Sequence, residues 1–436
     1  MGDALTVAAV NLWGRRIGAV SQEGAGETAV FQFDPAFRDA RIELSPLRMP
    51  VRTAPYSFPT LAFDSFRGLP GMLADSLPDD FGNAVIDAWL ARQGRRADSF
   101  GAVERLCYIG SRGMGALEFQ PTLGPTSRAA EELEVSVLVE LAAEVLADRE
   151  GLDASLASSD RGQAIQDILL VGSSAGGARA KAVIAYDPTT GSVRSGQLDA
   201  PPGFEHWILK FDGVDSHREV GESRGYGAVE YAYANMARAA GIQTTDCRLL
   251  EEGGRRHFMT RRFDREGNRR LHMQSLAGLA HFDFRQAGAY SYEQALQVIR
   301  QLGLSHAAVE EQFRRMVFNI VARNQDDHVK NIAFLMAQDG SWALSPAFDI
   351  TYAYNPTGVW TREHQMSLAG KRDNFTVTDL LATARTASLA RNVAPRIVGE
   401  VTAAVADWSA FTAQAGVPEA TAAAIARTHR LRLPAG

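Results

Sequence analysis

Apolar positions follow two rhythms along the chain, and the change between them marks its organisation. Up to about residue 50 they come in short alternating or continuous runs. These predict strands at Leu5–Leu12 and Arg16–Val20, joined by a Trp13-Gly14 turn, and at Ala29–Phe33 and Arg41–Leu44. Pro59, Gly68, Pro70, Gly71 and Pro78 then break the pattern into an irregular connector, after which Asp79 or Asp80 caps a helix reaching Leu90. Phe100–Tyr108 reads as helix and Gly113–Phe119 as a Gly-led strand. Glu131–Ala147 is helical, with Leu133, Val137, Leu141 and Val145 on one face. A second set of strands follows: one leaving a Gly/Ser-rich stretch towards Tyr186, then His206–Phe211, then Thr244–Leu250 paired with Arg256–Arg261. A helix, Val229–Ala240, lies among them. Beyond residue 274 the helical period dominates, at Gln274–Ala280, Ser291–Leu302 and a helix ending near Arg323. In that last helix Phe313, Met316, Val317, Ile320 and Val321 share one face. Ile332–Met336 and Trp342–Leu344 predict a hairpin, and Val377–Leu433 an Ala-rich helical tail.

Pro, Thr, Gly and Ser at Pro121–Arg128 give a linker-like composition. The expected division is therefore 1–125, 126–265 and 266–436. A chain of 436 residues, 46% hydrophobic and 22% charged, has ordinary globular composition and can bury more than one core. Net charge of −6 implies no general affinity for nucleic acid or anionic membrane. The Arg-rich segment Arg255–Arg270 reads as a solvated hairpin surface. Cys107 and Cys247 form neither a disulfide framework nor a zinc site, which fits a reducing, cytoplasmic setting. No apolar run has the length of a membrane span, and the N-terminus lacks a signal-peptide pattern.

The candidate chemistry centres on Asn324–Asn331 and Ser345–Ile350, at a helix-to-strand junction to which the hairpin returns. Asp326 and Asn331 have the D-x-x-x-x-N spacing of a kinase catalytic loop, and Asp349 is a second acid placed to complete a metal site. Phosphate oxygens need neutralising by Mg²⁺, which takes a few hard oxygen ligands and leaves room for phosphate and water. Taken alone, the spacing also suits ordinary loop and capping residues. A metal hydrolase on Asp326, Asp327 and His328 is disfavoured, because neighbours in one loop rarely point at one ion. Upstream, Gly172-Ser-Ser-Ala-Gly-Gly177 can bring backbone N–H groups close to phosphates, or can be a plain hairpin turn. Lys210 interrupts an apolar strand and calls for an anion, unless it snorkels at an edge. Glu230, opening the next helix, is its candidate partner. Arg262-Phe-Asp-Arg265 falls where a linker between two lobes would grip adenine. Gly-rich loop, strand Lys, linker, catalytic loop and metal Asp thus appear in the order a kinase requires.

Together these motifs resemble the HipA family, the serine/threonine-protein kinase toxins of bacterial type II toxin–antitoxin modules. The resemblance rests on Leu73-Ala-Asp-Ser-Leu-Pro-Asp-Asp-Phe-Gly82, Ser174–Lys181, Arg262–Arg265, Asp326–Asn331 and Pro346–Ile350, and spans nearly the whole chain. It implies an α+β, two-lobed protein-kinase-like fold with an additional β-rich N-terminal domain. It implies Asp326 as catalytic base, and Asn331 and Asp349 as Mg²⁺ ligands. It places ATP against Gly172, Ser173, Ser174, Ala175, Gly176, Gly177, Lys181 and Lys210, against Arg262, Phe263 and Asp264 (the last near the ribose), and against His328 and Lys330. Ser174 falls where the family carries its autophosphorylated serine, with Ser173 adjacent; a phosphate there adds about two negative charges beside the nucleotide. The partners implied are a HipB-type helix-turn-helix antitoxin, operator DNA mainly through that antitoxin, and an aminoacyl-tRNA synthetase as substrate. Arg261 is a departure, since some relatives carry an acid before R-F-D-R, and Asp327 stands where a Gly can occur. A small-molecule kinase and an antitoxin-bound co-repressor with weak kinase activity are the alternatives.

Overall fold

The structure, a computed structural model, describes residues 5–125, 133–147, 168, 179–197, 199–214 and 225–436. Strands β1 (Thr6–Leu12), β2 (Arg15–Gln22), β3 (Val30–Phe33) and β4 (Leu117–Gln120) form an antiparallel sheet in the order β3-β2-β1-β4. Their alternation buries Val10, Ile17, Val20 and Phe31 on one face, where the helix Ala102–Ile109 packs. Arg41–Leu44 is not a strand. Arg41 has φ +54°, in the left-handed region, and the Leu44 carbonyl accepts from Gln274 Nε2 instead of a ladder partner. Asp79 caps the helix Asp80–Ala91, its Oδ1 accepting from Gly82 N at 2.7 Å.

The expected helix at Glu131–Ala147 begins at Val135; residues 131 and 132 lie outside the described ones. Its buried stripe runs through Leu138, Leu141, Ala142 and Val145, while Val137 is 36% exposed. Strands β5 (Lys181–Tyr186), β6 (Val193–Ser195), β7 (Glu205–Lys210), β8 (Cys247–Glu252) and β9 (Arg255–Arg261) make the small lobe, an antiparallel sheet ordered β6-β5-β7-β9-β8. The helix Tyr226–Ala239 lies against β8 and β9.

A short hairpin, β10 (Arg265–Glu266) and β11 (Arg269–Arg270), leads into the large lobe. There β12 (His272–Ser275), β13 (Ala333–Met336) and β14 (Trp342–Leu344) form a small sheet. The helix expected from Gln274 starts only at Leu276, because Gln274 pairs with Phe334 in the ladder and Ser275 acts as the N-cap. The helices Tyr292–Gln301 and His306–Val321 and the four-helix tail enclose the main core. The predicted face of His306–Val321 is fully buried: Phe313, Met316, Val317, Ile320 and Val321 all have 0% exposure. Among the described residues no helix is long and apolar enough to cross a membrane.

The N-terminal domain docks on both the hinge and the large lobe. Trp13 Nε1 donates to Arg270 O (2.8 Å), Arg48 Nε to Ala280 O (2.9 Å), and Gly71 N to His281 Nε2 (3.1 Å). The Arg-rich segment is only partly a solvated surface. Arg262 and Arg265 are buried, while Arg255, Arg256, Arg261, Arg269 and Arg270 are each paired with a Glu.

Candidate functional site

Between the two lobes lies a cleft of about 2040 Å³, to which the N-terminal domain also contributes a wall. Larger than the pockets that enclose most small ligands, it has room for a nucleotide and part of a macromolecular acceptor. The helix His306–Val321 stops where Arg323 turns left-handed at φ +58°. The chain then runs extended, with Gln325 N bonded to Ala353 O (3.1 Å), and closes a 3₁₀ turn over Val329–Asn331. This places Asp326, His328, Lys330 and Asn331 on the cleft wall, and β13–β14 brings Asp349 back beside them. Asp349 has φ +52°, a conformation that costs energy for a residue with a Cβ and is held here by its neighbours.

The two adjacent acids have opposite environments. Asp326 faces the cleft with its side chain 41% exposed; its Oδ1 accepts from Trp360 Nε1 at 2.6 Å and lies 3.8 Å from His328 Nε2. Asp327 points into the core. Its oxygens accept from Tyr292 OH (2.5 Å), Gln365 N (2.7 Å) and the His364 ring at Nδ1 (2.7 Å). Burial by itself would raise the Asp327 carboxyl, but the His364 ring and these hydrogen bonds hold it below the ordinary carboxylate range. The pair therefore separates into a presented group and an anchor. That also splits the donor set a metal hydrolase would need.

Asn331 Nδ2 donates to Asp326 O (2.8 Å), which leaves its carboxamide oxygen as the atom with a lone pair to offer. Lys210 meets Glu230 Oε1 at 2.5 Å and also bonds Asp349 Oδ1. Burial would lower the Lys210 ammonium; Asp349 and Glu230 outweigh it and hold the group well above its ordinary value. For Asp349, burial raises and the charges of Lys210 and Lys181 lower, with the net below the usual range. Both groups are thus fixed in their charged forms. Mg²⁺ fits this donor set: a carboxamide oxygen and a carboxylate line one cleft, and a site shared with phosphates needs no all-protein cage. Among the described residues no group of three His, Cys, Asp or Glu stands together to hold an ion.

Other sequence-derived candidates are placed as follows. Gly172, Ser173, Ser174, Ala175, Gly176 and Gly177 lie outside the described residues. Lys181, at the start of β5, is buried with its Nζ 2.9 Å from Asp79 Oδ2. Lys330 lines the cleft with its Nζ 4.6 Å from the centre of the Phe284 ring, and Phe263 lines it against Phe348. Asp264 is not beside the cleft as a ribose contact requires. Its carboxylate is fully buried, accepting from Arg262 (2.9 and 2.7 Å), Arg265 (2.7 Å) and Gly115 N (2.7 Å). Arg262 does line the cleft, but its guanidinium is held by Asp264 and Gly113 O, which makes it a hinge clamp. Two participants gave no sequence signal. Trp360 lies 34 residues from the acid it touches, and the Tyr292–Asp327–His364 cluster joins three distant segments.

Two family descriptions match the chain: HipA-like C-terminal domain over residues 173–409, and HipA N-terminal domain over residues 8–120. Among solved structures it is similar to a chain of the Shewanella oneidensis MR-1 toxin–antitoxin complex of HipA, HipB and operator DNA. The TM-score is 0.67 at 17% identity, covering 96% of this chain and 94% of that one. That likeness shows the fold, two-lobed and protein-kinase-like behind a β-rich N-terminal domain. The Helicobacter pylori proinflammatory kinase CtkA matches 48% of this chain and 85% of its own, at TM-score 0.31 and 11% identity, too loosely to bear on the argument. No curated protein matches the chain.

Proposed function

The chain belongs to the HipA family, and from that premise we propose that it is an ATP-dependent serine/threonine protein kinase, the toxin of a HipA/HipB-type module. One observation carries the reading: Asp326, Asn331 and Asp349 converge on the cleft that also holds the Lys210–Glu230 pair. ATP is the phosphoryl donor. Asn331 and Asp349 would hold Mg²⁺, which when bound neutralises phosphate charge. Lys210, fixed by Glu230, binds the phosphates. The Asp326 carboxylate takes the proton of the acceptor hydroxyl as its oxygen bonds to the γ-phosphorus and the bond to ADP breaks, the electron pair leaving on ADP. Catalysis is then mostly alignment and charge stabilisation. A HipB-type helix-turn-helix antitoxin is the proposed partner, in line with the HipA–HipB–DNA complex whose fold the chain shares. Operator DNA is reached mainly through that antitoxin, which suits a net charge of −6. An aminoacyl-tRNA synthetase is the proposed substrate, and Ser174 the proposed site of autophosphorylation.

The test is a phosphosite map of the purified protein after incubation with Mg-ATP, beside Asp326→Ala. Phosphate on Ser174 or Ser173 in the wild type alone is the expected result. Nucleotide binding with no phosphate in either sample would favour the co-repressor reading. A second expectation concerns the indole N–H that orients Asp326. Trp360→Phe keeps a ring and loses a charge-assisted hydrogen bond, so transfer should slow by about 10-fold, the scale of one such bond. Unchanged single-turnover rates would remove Trp360 from the mechanism.

A further inference from the structure

Phosphoryl transfer, as derived above, leaves the three acids of the Leu73–Gly82 stretch unused, and two of them, Asp75 and Asp79, are buried at lobe contacts. Asp75 is seated on the large lobe, its carboxylate accepting from Ser275 N (2.7 Å) and Ser275 Oγ (2.7 Å) at the start of the helix Leu276–Ala280. The contact is close: a Cβ on Gly278 would collide with the Asp75 carboxylate, and one on Gly71 with the Gly278 carbonyl. Four residues further on, Asp79 turns to the small lobe. Its Oδ1 caps its own helix at Gly82 N, and its Oδ2 lies 2.9 Å from Lys181 Nζ on β5. These two side chains are only 3% and 7% exposed, so the pair is desolvated and the Asp79 carboxylate helps to hold the Lys181 charge in place. Ser76, Leu77 and Pro78, all on the cleft wall, join the two contacts. At Asp349 burial raises the carboxyl and Lys210, then Lys181, lower it; at Asp75 and Asp79 burial prevails and raises the carboxyls, with Lys330 of the catalytic loop opposing it at both. The segment therefore spans from lobe to lobe at the end of the cleft where phosphates would lie.

We infer that Asp79 is a positioning residue: it holds the Lys181 ammonium at the phosphate end of the cleft, while Asp75 fixes the same segment to the large lobe. The N-terminal domain thereby supplies a clasp between the lobes and is part of the nucleotide site. A Lys side chain has a flexible four-carbon stem, and a donor fixed before the ligand arrives costs less to order on binding. The inference rests on the kinase reading for the identity of the ligand.

The experiment measures the affinity of the full chain for Mg²⁺ with a non-hydrolysable ATP analogue by calorimetry, for Asp79→Asn, Lys181→Met and the double variant. Asn is as good an N-cap as Asp, so Asp79→Asn removes the charge and keeps the helix start. The expected result is about 10-fold weaker binding for each single variant, the scale of one charge-assisted hydrogen bond, and a double variant no weaker than Lys181→Met. Unchanged or tighter binding by Asp79→Asn, or effects that multiply in the double variant, overturns the inference. Thermal unfolding of the nucleotide-free proteins provides a second readout. There the losses in Tm must be less than additive, and additive losses mean no clasp. A wild-type protein that binds no Mg-nucleotide overturns the kinase reading and Asp79's nucleotide role together. Less-than-additive Tm losses would then show that the clasp itself stands.

Discussion

Asp326→Asn is expected to slow phosphoryl transfer by about 10²–10⁴-fold, the range a positioned general base supplies, with nucleotide affinity and unfolding temperature unchanged. The separation follows from where Asp326 stands. It is partly exposed on the cleft wall, and among the described residues the one close bond to its carboxylate is that which Trp360 donates to Oδ1. Asparagine can still accept that bond through its oxygen, so the loop loses little. It cannot take up a proton at neutral pH, so the acceptor hydroxyl loses its base. Asp327→Asn should do the reverse, weakening the fold first, because Tyr292, His364 and Gln365 N all converge on that buried carboxylate. Single-turnover transfer of labelled γ-phosphate, with calorimetry on the same preparations, separates the two acids. Asp326→Asn protein that transfers at the wild-type rate would remove Asp326 as the base.

What the sequence made legible is what local chain geometry determines. Strand alternation through β1–β3, the apolar face of His306–Val321, the β13–β14 hairpin and the Asp326–Asn331 spacing each depend on residues a few positions apart. Lys210 and Glu230 were readable as partners because a charge in an apolar strand needs a counter-charge, and the next helix offered one. The misread features depend on distant segments. Nothing near Asp264 says that Gly115 will donate to it, so an acid beside the hinge looked like a ligand contact and is instead a buried anchor. Arg41–Leu44 has a strand's composition, yet the Leu44 carbonyl is taken by Gln274 from another domain. Asp79 was legible as a helix cap from its position, but its ion pair with Lys181 requires the domains to be docked.

That anchor gives the largest stability effect expected of a single substitution. Asp264→Ala leaves Arg262 and Arg265 buried without their shared anion, and losing one partner of a buried pair costs about 3–5 kcal/mol. Burial alone would raise the Asp264 carboxyl, but the two guanidiniums outweigh it and hold it well below the ordinary range. A depressed folded value fixes the sign of the pH dependence. The stabilisation is fully present above the unfolded carboxyl value of about 3.9 and is lost only as pH falls from there through the folded one. The gap in stability between wild type and Asp264→Asn should therefore be constant from neutral pH down to about 4 and shrink only in stronger acid. Denaturant unfolding across that range measures it, and a gap that closes between pH 7 and 5 would contradict the assignment. The same residue joins two domains, since Gly115 N donates to its carboxylate and Gly113 O accepts from Arg262 and Arg265. Limited proteolysis of Asp264→Ala should thus cut first near Gly113–Gly115, where the N-terminal domain loses its hold on the hinge. A variant that unfolds as one unit, with no early cut there, would show that the domain's other contacts, those of Trp13, Arg48, Gly71, Asp75 and Asp79 among them, hold it in place without Asp264.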